Sequence, residues 1–138
     1  MNEHRIYDKK HDINTQNTQN FYNKRAKDIE TMDNPYVAVL LGDQNPQHAI
    51  DWNEFEKNHI LEYLRIDKNS RVLDIGCGIG RWAETIIPLA GYYVGVDFSS
   101  EMIKIAEKRC NFEQEVYDFI VASFQDVVQM KHEKLKQK

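Results

Sequence analysis

The chain has 138 residues, of which 41% are hydrophobic and 29% charged; this is typical of one folded domain and excludes a disordered chain. Its net charge of -4 argues against nucleic acid as a partner, and no apolar run reaches the ~18 residues of a membrane span. Cys77 and Cys110 have no partner at metal-ligand spacing, so neither a metal site nor a disulfide is expected. Because the polar start has no apolar segment resembling a secretory signal, we predict a cytoplasmic protein that binds no membrane.

The N-terminal part of the chain is predicted to be an arm followed by a helical cap. Residues 1–20 are polar and lack apolar periodicity, which predicts a mobile arm. Residues 21–70 are assigned to the cap, which opens with apolar residues at helical spacing over 21–30. Asn34 and Pro35 then interrupt the pattern, so a short helix followed by a loop is expected.

A second cap helix is predicted over residues 53–64. Apolar residues there can share one face of a helix, while the charged residues point away from it. The predicted buried face consists of Phe55, Ile60, Leu61 and Leu64.

From residue 71 the pattern becomes strand, helix, strand, helix, strand. Residues 71–75 form a continuous apolar run, which predicts a strand buried on both faces, and residues 92–98 and 116–123 predict two more strands. Helices are predicted over 81–90, where Pro88 ends or kinks the helix, and from a cap at Ser99 or Ser100 to about residue 110. This alternation predicts an α/β fold with a partial, doubly wound parallel sheet of about three strands.

If each strand is added to the sheet on the same side of the one before it, right-handed connections place both crossover helices on one face of the sheet. The other face and the edge of the first strand are therefore expected to be bare. Only the N-terminal segment or the tail around Val127, Val128, Met130 and Leu135 can cover that face. An uncovered edge predicts a partner, either a second copy of the chain or a complementing chain.

Glycines at positions 76, 78 and 80 lie between the first predicted strand and the helix after it. Glycine permits a tight turn and a close approach of ligand to backbone, and a helix N-terminus there would suit a ligand with an anionic end. Asp97 ends the second strand, where a carboxylate in such folds accepts hydrogen bonds from ribose hydroxyls. The sequence therefore predicts a site for a ribose-bearing cofactor.

The glycine spacing does not fit a dinucleotide. The third glycine comes one residue early, and the bulky Arg81 and Trp82 follow it. Instead, residues 72–80, Val-Leu-Asp-Ile-Gly-Cys-Gly-Ile-Gly, resemble the first motif of class I S-adenosylmethionine-dependent methyltransferases. Residues 95–102, Gly-Val-Asp-Phe-Ser-Ser-Glu-Met, resemble their second motif, and the likeness covers about 71–127.

The resemblance implies a Rossmann-like domain over 71–138 that binds S-adenosylmethionine. It implies Asp74 near the methionine amino group, Asp97 on the ribose, and Phe98 and Met102 against the adenine, although Met102 as a core residue is an equal alternative. Members of the family often have an acidic residue after the third strand that binds the adenine amino group. Here Ser123 fills that position, so adenine would be bound by the Ser123 hydroxyl or by the Phe124 backbone. The implied cofactor-binding residues are Asp74, Gly76, Cys77, Gly78, Gly80, Asp97, Phe98, Met102, Ser123 and Phe124.

The implied reaction is methyl transfer, and the lack of a basic surface favours a small-molecule methyl acceptor. No catalytic base is identified, since His48 and His59 are better explained as solvated surface residues. Tyr22, Arg25 and Trp52 are candidates for a lid over the cofactor, with core packing as the alternative for the two aromatic residues. Because the family has about seven strands, the chain is expected to be its cofactor half. The alternative is a non-catalytic module that binds the cofactor or assembles with a partner chain.

Overall fold

The computed structural model describes residues 14–40 and 45–129. Two N-terminal helices, α1 (Thr15–Ile29) and α2 (Pro46–Leu64), flank a short 3-10 helix at Pro35–Ala38. The remaining elements are β1 (Arg71–Ile75), α3 (Ala83–Ile86), β2 (Tyr92–Asp97), α4 (Ser100–Arg109), a second 3-10 helix (Gln114–Val116), β3 (Tyr117–Val121) and α5 (Phe124–Gln129). Within the described ranges, no helix is long and apolar enough to cross a membrane.

The three strands form one parallel sheet in the order β1-β2-β3, which confirms the predicted fold class. In the register of the sheet, Leu73 pairs with Val94, and Asp97 pairs with Val121. All three strands therefore end at the same edge of the sheet, and the loops that follow them meet there.

The main core lies between one face of the sheet and helices α3 and α4. Tyr93 of β2 and Tyr117 of β3 are buried there with Ala83 and Ile86 of α3. Cys110, directly after α4, is fully buried in the same cluster. Continuous burial of β2 follows from its central position between two strands.

The other face of the sheet is partly covered. Val94 and Val96 of β2 are buried with Ala122, and Val127 of α5 packs against this cluster. On the same face Leu73 is 40% exposed and Ile75 is 47% exposed, so the prediction that β1 is buried on both faces is wrong. The reason is topological, because β1 is an edge strand and α5 covers its neighbour. The expected bare edge of β1 is present among the described residues.

Helix α1 begins at Thr15 rather than at Phe21, so residues 15–20, predicted to belong to a mobile arm, are helical. The Asn14 side chain caps this helix by accepting a hydrogen bond from the backbone N–H of Asn17 at 3.0 Å. The rest of the predicted arm, residues 1–13, lies outside the described residues.

Helix α2 begins at Pro46, and its predicted burial is wrong. Phe55 is 52% exposed, Ile60 41% and Leu64 43%, and Leu61 is half-buried, whereas the buried residues of this helix are Ala49 and Asn53. The side that faces the sheet domain is mixed: Glu56 pairs with Arg81 at 2.8 Å, and Ile60 and Leu64 line an open cavity with Leu73 and Trp82. The predicted apolar face is therefore only loosely packed, and ion pairs contribute to the attachment of this helix.

The two crossover helices differ in how well the sequence predicted them. Helix α3 has only four residues, Ala83–Ile86, because turns precede and follow it within the predicted range 81–90. Helix α4 is confirmed, and Ser99 rather than Ser100 caps it, accepting a hydrogen bond from the Met102 N–H at 3.2 Å.

Candidate ligand-binding site

The turn after β1 depends on glycine. Gly76 has φ +78° and Gly78 has φ +53°, in the left-handed region that favours glycine. A Cβ added at either position would meet no atom within 4 Å, so the space above this backbone is open. At Gly80 a Cβ would lie 3.2 Å from the Cβ of Ala106, so this glycine serves the packing of α4 and does not face the open space.

Four backbone N–H groups of this turn, at positions 76, 77, 78 and 80, are bonded within the protein. The N–H groups of Gly76 and Cys77 donate to the Val96 carbonyl oxygen at 2.7 and 3.0 Å, and the Gly80 N–H donates to the Cys77 carbonyl oxygen at 3.0 Å. The Gly78 N–H donates to Asp97 Oδ2 at 3.0 Å. Helix α3 has only four residues, so its dipole at the turn is small, and the binding of an anionic group by a helix N-terminus here stays a prediction.

Asp97 joins the turn to the end of β2. Its side chain is buried, with Oδ2 accepting from Gly78 and Oδ1 accepting from the Ser99 N–H at 2.9 Å. Each carboxylate oxygen can accept more than one hydrogen bond, so these two bonds orient the group and leave acceptor capacity for a hydroxyl.

Two clefts meet at this carboxylate. The larger, about 630 Å³, is lined by Phe21, Tyr22, Arg25, Ala38, Val39, Gly76, Gly78, Asp97, Phe98 and Met102. The smaller, about 260 Å³, is lined by Thr15, Thr18, Ile75, Gly76, Val96, Asp97, Phe98, Ala122, Ser123, Phe124 and Gln125. They share Gly76, Asp97 and Phe98, so one elongated ligand can lie across both.

Helix α1 covers the carboxyl end of β2. Gln19 donates to the Phe98 carbonyl oxygen at 2.8 Å, Ser99 Oγ donates to Asn23 Oδ1 at 2.6 Å, and the Tyr22 and Phe98 rings meet edge to face at 5.8 Å. Tyr22 and Arg25 thus lie where the lid was expected. Trp52 does not, because it bonds to Glu56 and stacks on Phe55 on the outer side of α2.

The structure brings together most of the predicted site residues, but Asp74 lies elsewhere. It accepts a hydrogen bond from the Tyr93 hydroxyl at 2.7 Å and lines a separate cavity of about 550 Å³ beside Leu73 and Trp82. Burial raises the pKa of this carboxyl, against the opposing effects of Tyr93 and Arg81. Its contact with a methionine amino group stays a prediction.

Three predicted site residues, Cys77, Ser123 and Phe124, are placed differently relative to the clefts. The Cys77 side chain is buried, and burial raises its thiol pKa, so only its backbone is near the turn surface. Ser123 lines the smaller cleft, and its hydroxyl donates to Asp126 Oδ2 at 2.7 Å, while Phe124 is 58% exposed beside it. Their contact with adenine stays a prediction.

Sequence reasoning missed the contribution of α1 to the smaller cleft. Thr15 and Thr18 line it, but both lie in the polar stretch that was assigned to the arm. The signal that was available is Asn14, a residue type that commonly caps a helix. No cluster of three or more metal-ligating side chains is found within residues 14–40 and 45–129.

The fold and the site define a class of protein. A parallel sheet, a glycine turn after its first strand and a carboxylate at the end of its second are typical of Rossmann-like domains that bind nucleoside cofactors. Residues 72–136 match the family model described as a methyltransferase domain. This part of the chain belongs to the class I S-adenosylmethionine-dependent methyltransferases.

Known relatives agree with this assignment. The chain is 42% identical over 55 residues to a 23S rRNA uracil C5-methyltransferase of Haemophilus ducreyi, covering 40% of this chain and 12% of that protein. It is 29% identical over 86 residues to a ubiquinone biosynthesis O-methyltransferase of Xanthomonas euvesicatoria, covering 62% of this chain and 35% of that protein. The chain therefore spans well under half the length of these curated relatives.

The fold is also found in a solved structure. A phosphoethanolamine N-methyltransferase of Haemonchus contortus, in complex with phosphoethanolamine and S-adenosylhomocysteine, superposes with a TM-score of 0.62 at 22% identity. The match covers 78% of this chain and 21% of that one, so it includes part of the N-terminal cap as well as the sheet.

Proposed function

We propose that this chain is the cofactor-binding part of an S-adenosylmethionine-dependent methyltransferase. The observation that carries the proposal is the arrangement around Asp97, whose carboxylate is oriented by two backbone N–H groups at the junction of two clefts. The open space above Gly76 and Gly78 fits a ligand that lies against the backbone. Without these features, the family match alone would not say where a cofactor lies.

Different residues would bind different parts of the cofactor. Asp97 would accept the ribose hydroxyls, Phe98 and Met102 would adjoin the adenine from the larger cleft, and Ser123 and Phe124 would adjoin it from the smaller. When bound, S-adenosylmethionine supplies an electrophilic methyl group on a cationic sulfur. The task of this chain is then to hold that donor in one orientation, since alignment provides much of the rate enhancement in such a transfer.

The experiment is calorimetric titration with S-adenosylhomocysteine of the wild type and of Asp97→Asn. The amide removes the charge and one acceptor, so affinity is expected to fall roughly 10- to 150-fold. Asp118→Asn is the matched control, because Asp118 lies on β3, is exposed and lines neither of the two clefts. Equal affinity of Asp97→Asn and wild type contradicts the ribose role, and tighter binding of NADH than of S-adenosylhomocysteine contradicts the cofactor.

We further propose that the methyl acceptor is a small molecule. The net charge of -4 supports this, as do basic side chains that are paired internally, such as Lys57 and Arg109, which both bond to Glu84 at 2.8 Å. One relative modifies ribosomal RNA, so RNA is the acceptor to test against. Salt-dependent binding of structured RNA at submicromolar concentration would contradict the small-molecule proposal.

A second candidate function is a non-catalytic module that binds the cofactor and acts only with a partner chain. The edge position of β1, with Leu73 and Ile75 exposed beside it, favours this candidate. The discriminating measurement is methyl transfer from labelled S-adenosylmethionine to small acceptors by the chain alone. Turnover by the chain alone supports the enzyme, and tight binding without turnover favours the module.

A further inference from the structure

The larger cleft is lined both by the N-terminal cap and by the glycine turn. From the cap, Ala38 at the end of the 3-10 helix Pro35–Ala38 and the next residue, Val39, line it. From the turn, Gly76 and Gly78 line it. The width of the cleft therefore depends on how the cap wall, Ala38 and Val39, is held relative to the turn.

Three successive hydrogen bonds connect the turn to the cap wall. The Glu84 N–H donates to the Gly80 carbonyl oxygen at 3.1 Å, which ties α3 to the turn. The Glu84 carboxylate accepts a hydrogen bond from the Tyr36 hydroxyl. The Val39 N–H donates to the Tyr36 carbonyl oxygen at 3.1 Å. Tyr36 therefore joins the cap wall to the turn, with its hydroxyl on one side and its carbonyl on the other.

The side chain of Tyr36 is held at its ring and at its hydroxyl. Arg109 Nη2 donates to the hydroxyl oxygen at 3.3 Å, and the Arg109 guanidinium and Lys57 Nζ lie 5.2 and 5.8 Å from the ring centre. Cations within about 6 Å of an aromatic ring are attracted to its face. Burial and the Glu84 carboxylate raise the Tyr36 pKa above its ordinary value of 10.0, so the phenol can donate at neutral pH.

The Tyr36 hydroxyl is not needed to neutralise Glu84. That carboxylate already accepts from Lys57 and Arg109, each at 2.8 Å. The aromatic ring alone would also pack against the buried cluster of the cap in the same way. The specific effect of the hydroxyl is then to fix where the 3-10 helix Pro35–Ala38 lies relative to α3, and with it the cap wall.

We propose that Tyr36 is a positioning residue, which holds the cap wall of the larger cleft at the distance from the glycine turn that the cofactor requires. This inference rests on the proposed function, because the cleft is the same. Tyr36 lines neither of the two clefts, so its effect on the ligand passes through Val39.

The experiment is a double-mutant cycle of Tyr36→Phe and Val39→Ala, with the affinity for S-adenosylhomocysteine measured by calorimetry. Tyr36→Phe keeps the ring and removes only the hydroxyl, and it should weaken binding roughly 3- to 10-fold. In the Val39→Ala background the same change should weaken binding by less than about twofold, because the wall that it positions has been cut back. A role in stability alone would give the same factor in both backgrounds.

Tyr92→Phe is the matched control. Tyr92 also donates its hydroxyl to a carboxylate, that of Asp118, but it lies at the start of β2 and lines neither cleft. The control should therefore leave the affinity for S-adenosylhomocysteine unchanged. If it weakens binding as much as Tyr36→Phe does, the effect is one of general stability and the inference is overturned.

The remaining outcomes separate the inference from the proposed function. If wild type and Tyr36→Phe bind equally, or if the effects of Tyr36→Phe and Val39→Ala multiply, Tyr36 does not position the wall, although the cofactor assignment stands. If the wild type does not bind S-adenosylhomocysteine, the proposed function falls and the inference with it. Should Tyr36→Phe not fold, Glu84→Gln takes its place in the cycle, and multiplied effects again overturn the inference.

Discussion

The two N-terminal helices are attached to the sheet domain by different forces. Helix α1 buries Ala26 and Ile29 against Ile79 of the glycine turn and Met102 of α4. Helix α2 buries only Ala49 and Asn53 and is joined through ion pairs, Glu56 with Arg81 and Lys57 with Glu84. The apolar Ile60 and Leu64 of α2 line an open cavity without being buried, so ion pairs make the close contacts of this helix.

Glu84 is the centre of the polar attachment. Its carboxylate accepts from Lys57 of α2 and Arg109 of α4, each at 2.8 Å, and from the Tyr36 hydroxyl. The Arg109 guanidinium also lies over the Tyr36 ring, 5.2 Å from its centre. One carboxylate on α3 thus connects α2, the 3-10 helix and α4, whereas α1 combines apolar burial with hydrogen bonds at Gln19 and Asn23.

The largest effect is expected from Ile29→Ala in α1. Ile29 is 7% exposed, so truncation removes buried methyl groups and leaves a cavity between α1 and the glycine turn. The free energy of unfolding should fall by about 2–5 kcal/mol, measured by urea denaturation. A loss below about 1 kcal/mol would mean that α1 is not held by apolar burial.

A smaller effect is expected from Glu84→Gln, which leaves Lys57 and Arg109 without their carboxylate. We expect a loss of about 1–3 kcal/mol at low salt, and a smaller loss at high salt because the ion pairs are partly exposed. Glu101→Gln is the control, since its pair with the exposed Lys104 should add no measurable stability. A salt-independent effect of Glu84→Gln would contradict an electrostatic attachment of α2.

The same carboxylate predicts a dependence on pH. Burial would raise the Glu84 pKa, but the hydrogen bonds from Lys57 and Tyr36 and the nearby charges outweigh burial and lower it below its ordinary value of 4.5. A lowered pKa gives stability that is present above pH 4.5 and is lost as the pH falls through the folded-state pKa. Melting temperatures of wild type and Glu84→Gln should therefore converge below that pH, and a constant difference would refute this.

The smallest effect is expected from Ile60→Ala in α2, the same substitution as Ile29→Ala in the other helix. Ile60 is 41% exposed, and alanine favours the helix, so the free energy of unfolding should change by less than about 1 kcal/mol. Urea denaturation of both isoleucine variants in parallel tests the comparison directly. Equal losses from the two would show that α2 also depends on its apolar side chains.

Local patterns predicted much of the fold and part of the site. The alternating strands and helices after residue 71, the cap of α4, and Gly76 and Asp97 beside a common cleft follow from short apolar runs, turn residues and their spacing. The start of α1 and the length of α3 were predicted less well, because both depend on how helix ends are capped and packed.

The sequence by itself determined the parallel sheet domain and the family to which it belongs, because apolar runs and glycine positions act locally. Only the tertiary structure decided which strand lies at the edge and which residues of α2 face the sheet domain. It also decided which acceptors the backbone N–H groups of the glycine turn bind. Each of these depends on partners distant in the chain: α5 covers β2 and leaves Leu73 of β1 exposed, Glu84 draws Lys57 inward, and Val96 accepts the N–H of Gly76. Burial and hydrogen bonding are properties of pairs of groups, and those pairs form only when the chain folds.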